Sequence, residues 1–356
     1  MRVSGLVIGL YRRKPGRGGS WYDAALLRAC QFVVCVVFLA GLAFACYRFP
    51  IDNLDRYIYE AVVRGKSEPV GAVYAVVKHE SPRAEQSSVL DSPQHLQELE
   101  PMYAIRPIYV AAISAGSRVL PIQKAISFIS AASLFSIGLV VLFWTKRPLL
   151  AGLLVAATPI PLLGRMGGPD ATAALLVVSA LWVLQRSRSL ALGLLFVSLG
   201  VRTDNLLILL AVLAWLAWEK KLPRAAAVAL AAAAVGMVVG INHWAGNYGW
   251  IVLFRFSFIS GRYPAQIPHV LTLREYIHGL GNGAYAMADQ VAIWVLLGIL
   301  AWRRGRDPLL IVAGCAAAAH FLLYPSGEDR YLIWAYIVAG VSLIRSFDAP
   351  SALELT

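Results

Sequence analysis

Acidic side chains are scarce in this chain. Its 356 residues hold 20 Asp and Glu against 32 Lys and Arg, and charged residues of both signs make up only 15%. Beside 59% apolar residues and a mean hydropathy of +0.65, so low a charged fraction excludes a soluble domain of ordinary composition and a disordered chain alike. Cysteine is equally sparse. Cys30, Cys35, Cys46 and Cys315 lie in apolar stretches without metal-ligand spacing, which indicates neither a disulfide framework nor a zinc centre. No internal repeat or low-complexity tract stands out. The net charge of +12 would suit nucleic acid if it formed one patch. The basic residues fall instead in short loops between apolar runs, as the positive-inside rule requires, so no nucleic-acid partner is expected.

What the chain has in abundance is long hydrophobic runs. They lie near 25–47, 123–145, 148–164, 169–186, 188–201, 205–218, 224–244, 284–302, 308–324 and 331–346. The pattern predicts an all-α polytopic transmembrane bundle of about ten spans, one membrane domain over 1–356. Residues 1–24, with Arg12, Arg13, Lys14 and Arg17, read as a cytoplasmic N-terminus before a retained first helix. The basic clusters "TKRP" (145–148), "RSRS" (186–189), "EKKLPR" (219–224) and "RRGRDP" (303–308) share its side of the membrane, which makes both termini cytoplasmic. The outer loops are then 48–122, "RMGGPD" (165–170), "RTD" (202–204), 245–283 and "PSGEDR" (325–330).

Two points need a choice. Residues 103–120 are apolar enough to cross, but a crossing there would turn every later basic loop outward. With Arg106 and Arg118, they read as an amphipathic helix in the outer interface. The runs 188–201 and 205–218 could fuse into one long helix, but basic loops on both flanks make them a hairpin, and their shortness puts its tip, "RTD", below the outer surface. The polar stretch 78–101 reads as a mobile connector. After Pro50, residues 53–64 form an amphipathic interfacial helix with a stripe of Leu54, Ile58, Ala61, Val62 and Gly65; Asp52 takes the N-cap and Asp55 the N3 position.

Ionisable residues are costly in a bilayer, and the outer loops collect them at Asp52 and Asp55, Arg165 with Asp170, Arg202 with Asp204, and Glu328, Asp329 and Arg330. "LDRYIYEAVVRG", "MYAIRPIYVAA" (102–112), "MGGPDATAALL" (166–176), "GVRTDNLLILL" (200–210) and "HFLLYPSGEDRYLIWAY" (320–336) follow one another in this order. Order and topology together resemble the GT-C superfamily of polytopic membrane glycosyltransferases, which use polyprenyl-phosphate-linked sugars. The resemblance implies a GT-C-like bundle with interfacial helices in the first outer loop. It also implies a catalytic Asp55, with Asp52 as understudy, and transfer of a sugar to an envelope glycan, lipid or protein acceptor outside a bacterial inner membrane. The first loop lacks the adjacent acidic pair of metal-dependent members, so no cofactor is required by this pattern and a divalent metal has no clear ligand cluster.

The chemistry asks for a carboxylate to take the acceptor's proton and for fixed positive charge on the departing phosphate. The candidates for the substrate are Arg202, Asp204, Arg330, Tyr331, Arg106, Arg165, Asp170, Lys78 and His79. Each also has a structural reading. Asp52 is a cap, Asp170 starts a helix after a turn, Arg202 and Asp204 pair at a hairpin tip, and Arg330 is an interfacial residue held by Glu328 or Asp329. His320 reads as a helix-packing residue. Asp289 either faces the cavity or pairs with Arg274, and the aromatic loop 247–276 is a lid, a lipid groove or a set of interfacial anchors. The rival functions are a transporter or flippase for a lipid-linked anion and a non-catalytic subunit of an envelope assembly.

Overall fold

A computed structural model describes residues 21–81, 90–157, 159–259, 263–288, 295, 298–303 and 307–347. Among them every regular element is helical. The first helix, α1, runs Trp21–Arg48. The first outer loop then forms α2 (Leu54–Arg64), α3 (Val70–Glu80), α4 (Pro93–Ala104) and α5 (Pro107–Gly116). The apolar runs become α6 (Ile122–Thr145), α7 (Pro148–Ala157), α8 (Ile160–Met166), α9 (Asp170–Val183), α10 (Arg188–Leu199), α11 (Leu206–Trp218) and α12 (Arg224–Trp244). They are followed by α13 (Trp250–Phe258), α14 (Leu273–Ala286), α15 (Pro308–Leu323) and α16 (Ile333–Ser346). Asp289 lies outside the described residues, and the 284–302 run lies partly outside them, with 298–303 helical.

Three of these helices are long and apolar enough to cross a membrane: the Leu26–Arg48 part of α1, then α6 and α12. At 1.5 Å per residue, their 21 to 24 residues reach about 30 Å or slightly more. Helices α9, α10, α11, α15 and α16 are shorter, and the charged segments lie at their ends. Asp170 opens α9, Arg202 precedes the 3₁₀ turn Thr203–Asn205 before α11, and the 3₁₀ turn Asp329–Tyr331 leads to α16. The short elements thus bring the scarce charges to one end of the bundle.

Several expectations need correction. The 148–164 run is two helices, with Pro159 and Pro161 at the start of α8, where a ring that removes an N–H is tolerated. Residues 78–101 are not a connector throughout. Ser92 accepts from the His95 N–H and Pro93 starts α4, which buries His95, Leu96, Leu99 and Met102, while 82–89 lie outside the described residues. The 103–120 helix is broken at Ile105–Arg106, because Pro107 drives Arg106 out of helical conformation (φ −119°, ψ 60°) and restarts the chain as α5. Asp52 is not the cap of α2. Asn53 is, its side chain accepting from the Asp55 N–H at 3.2 Å, which places Asp55 at the second helical position.

Two smaller cores dock the first loop. One joins Ile58, Ala61, Val73, Val77, Leu96 and Leu99 to Val252 and Ile267 of the second loop, and the other packs Tyr59, Tyr109, Val110 and Ile113 on Ile126, Ala173 and Val201 of the bundle. Buried Arg56 fastens the same joint. It donates to the Ile51 carbonyl (3.2 Å), the Gln123 carbonyl (3.2 Å) and Ser127 Oγ (2.9 Å), so α2 is tied to α6 by polar as well as apolar contacts. Gly167 closes α8 at φ +68°, and a Cβ there would stand 2.8 Å from the Arg56 side chain.

Candidate functional site

Asp55 and Tyr59 are four residues apart on α2, so both face the same way. That face meets the break between α4 and α5, the start of α9, the Arg202 turn and the Asp329–Tyr331 turn. The Asp55 carboxylate is held from two sides. Tyr103 Oη donates to Oδ1 at 2.6 Å and Arg330 Nη1 donates to Oδ2 at 2.7 Å. Arg330 also pairs with Glu328, stands 3.7 Å from Asp170 Oδ2, and donates to Tyr331 Oη at 3.1 Å. Asp170 and Asp204 both pair with Arg202, and the Asp204 Oδ2 atom lies 2.8 Å from His320 Nε2. A continuous chain of charge therefore runs from Asp55 through Arg330, Asp170, Arg202 and Asp204 to His320.

Tyr331 is the aromatic centre of this chain. The Arg202 guanidinium lies 4.5 Å and that of Arg330 5.0 Å from its ring centroid, and His320 stacks on it at 5.8 Å. Arg202 and Asp170 are buried, as is His320. Buried charges persist only when paired, and here each guanidinium spans two carboxylates or more.

Arg106 is different. Its guanidinium covers the rings of Tyr59 (5.7 Å) and Tyr103 (5.4 Å), and Nη1 donates to the Met102 carbonyl at 3.2 Å. It forms no ion pair with a described carboxylate. The Tyr59 hydroxyl beside it is buried without a hydrogen-bond partner among the described residues. A cation with spare donors and an unmet hydroxyl flank the Asp55 carboxylate, which suits an anion bearing several acceptor oxygens.

Burial pushes the Asp55 carboxyl up, but Arg330, the hydrogen bonds from Tyr103 and Arg330, and Arg106 outweigh it and hold it below the usual carboxylate range. Burial first, and then the Asp55 charge, push the Tyr103 phenol well above its ordinary value, so it stays a donor. Stability contributed by Asp55 is complete above its unfolded pKa of about 3.9 and is lost as pH falls through the lower folded value. Tyr103→Phe removes one stabilising donor from the anion. The acid transition of the pH–stability profile is expected to move to higher pH than in the wild type; an unmoved transition would show that the phenol does not act on the carboxylate.

Of the residues picked out from the sequence, Asp55, Arg202, Asp204, Arg330, Tyr331, Asp170 and Arg106 come together here. Four do not. Asp52 interacts with Tyr57, whose phenol is pushed up to about 12, first by burial and then by that hydrogen bond. Arg165 Nε donates to the Phe49 carbonyl at 2.8 Å, and Lys78 and His79 sit in the last turn of α3, where Lys78 donates to Tyr74 Oη at 3.1 Å. Arg165 thus ties α8 to the end of α1, and α3 carries Lys78 and His79 on another part of the outer loop. Sequence reasoning missed Tyr59, Tyr103 and the contact of His320 with Asp204. The four-residue spacing from Asp55 was a signal for Tyr59. Among the described residues no group of three or more His, Cys, Asp or Glu side chains is arranged to hold a metal ion. Comparison of the chain with family models, with curated proteins and with solved structures gives no match.

Proposed function

We propose that this chain is a GT-C-type membrane glycosyltransferase of about ten spans. Its site lies on the outer side of a bacterial inner membrane, and it transfers a sugar from a polyprenyl-phosphate donor to a hydroxyl of a glycan, lipid or protein acceptor. The observation that carries this reading is the Asp55 carboxylate held by Arg330 and flanked by Arg106, which has no described carboxylate partner, with Arg202 joined to the same cluster through Asp170.

In this mechanism Asp55 takes the proton from the acceptor hydroxyl as its oxygen attacks the anomeric carbon. The bond from that carbon to the phosphate oxygen breaks, and the polyprenyl phosphate leaves as an anion that needs no proton. Arg106 and the Tyr59 hydroxyl receive its oxygens, with Arg330 on the other side of Asp55. A phosphate that draws Arg330 towards itself also loosens Arg330 from Asp55. Proton affinity of the carboxylate then rises towards what a general base needs.

Arg106→Gln keeps hydrogen-bonding groups but removes the charge. It is expected to weaken donor use by about tenfold or more, as loss of a charge-assisted contact implies, with the acceptor KM little changed. The decisive assay incubates the purified protein with radiolabelled polyprenyl-phosphate sugar and membrane-extracted acceptors. Label appearing in a new glycoside supports the reading. Label that only changes leaflet in vesicles, with the donor intact, would identify a flippase instead.

A further inference from the structure

At the end of the bundle opposite the Asp55 site, α11 and α12 diverge around a crevice of about 560 Å³. Its walls are Leu210, Ala214 and Ala217 from α11 and Ala227, Val228 and Ala231 from α12. Alanine on both sides leaves room that larger side chains would fill. Helix α12 is a 21-residue apolar helix with only 11% of its span window buried in the protein, so most of its surface requires an apolar environment outside the chain.

The mouth of the crevice is charged. Arg224 lines it beside Trp218, which is 85% exposed, and Lys220 and Lys221 lie on the connection between the two helices. Arg188 joins them from the preceding basic loop, its Nη1 donating to the Lys221 carbonyl at 2.9 Å. Two basic loops separated by some thirty residues are thereby drawn to one place. The acid nearby, Glu219, faces Lys221 at 3.5 Å, while Lys221 also lies 4.5 Å from the Trp215 ring centroid. Arg224 and Lys220 have no ion pair among the described residues.

We infer that this crevice is a binding site for an anionic phospholipid, with an acyl chain between α11 and α12 and the phosphate on Arg224 and Lys220. Charge complementarity selects that occupant. An uncharged lipid would leave the basic mouth unanswered, and a second copy of the chain would set two such mouths against each other. Basic pockets between apolar helices, with an aromatic side chain at headgroup level, have the composition that anionic headgroups require.

The test is native mass spectrometry of the full chain released from detergent, with phosphatidylglycerol and phosphatidylcholine of identical acyl chains. Phosphatidylglycerol is expected to be retained at least about tenfold more strongly. The double variant Arg224→Gln with Lys220→Gln should bind the two lipids alike. Ala217→Trp, which fills the crevice, should lose both, while Lys124→Gln, remote from the crevice, should retain the preference. Equal retention of the two lipids by the wild type, or an unchanged preference in the double variant, would overturn the assignment. So would a dimer whose formation excludes lipid, or equal competition by inorganic phosphate alone, which would mark an anion site without an acyl chain.

Discussion

Asp55→Asn is expected to lower sugar transfer by about 10²- to 10⁴-fold, the usual contribution of a positioned general base. Asparagine has nearly the same shape and still offers an oxygen to Tyr103, so the substitution removes the base and leaves the contact that orients it. Arg330 retains Glu328 and Asp170, so the loss falls on kcat rather than on folding or donor KM. Unfolding temperature and single-turnover transfer, measured on the same preparation, separate the two. A normally folded Asp55→Asn protein that transfers sugar at the wild-type rate would sink the proposed function. If that variant still moved lipid-linked sugar between leaflets, the flippase reading would take its place.

The largest effect on stability is expected at Arg202. Removing it takes the closest cation from both Asp170, which is buried and among the described residues keeps only Arg330 at 3.7 Å, and Asp204, which keeps only His320, and breaking a buried ion pair from one side costs about 3–5 kcal/mol. Arg202→Ala should therefore unfold at a much lower temperature in detergent. Replacing the whole group with apolar residues of similar size, Arg202→Met with Asp170→Leu and Asp204→Leu, removes the unmatched charges together. Such exchanges are often neutral or stabilising, so most of the lost stability should return. Transfer should not return, because the charge chain that anchors Arg330 and Tyr331 is gone. Recovery of both stability and transfer would make Arg202 and its partners a structural device without a part in the chemistry.

Much of the architecture was legible because it depends on neighbours along the chain. Apolar runs gave the long helices, and Pro107, Pro159 and Pro161 stand where helices break or restart. The start of α4 was missed: Ser92-Pro93 is a cap followed by a residue suited to the first helical position, but the polar composition of 78–101 reads as a connector. Asn53 and Asp52 are equally good caps by residue type, and the choice fell to Asn53 through its extended backbone at φ −129° and ψ 131°.

The arrangement of the site is a different kind of fact. Asp55 and Arg330 are 275 residues apart, and nothing local distinguishes Arg330 from Arg165 or Arg106 as its partner. By itself the sequence determined which residues carry charge in an apolar chain, that the long apolar runs are helical, and that the ionisable groups gather in the segments between them. Only the tertiary structure decided who meets whom: that Arg202 and Arg330 are saturated by carboxylates, that Arg165 holds backbone, and that Arg106 and Tyr59 keep donors to spare. Helix formation is fixed by contacts a few residues long, whereas a buried charge accepts any opposite charge the packing delivers, and the packing is a property of the whole chain.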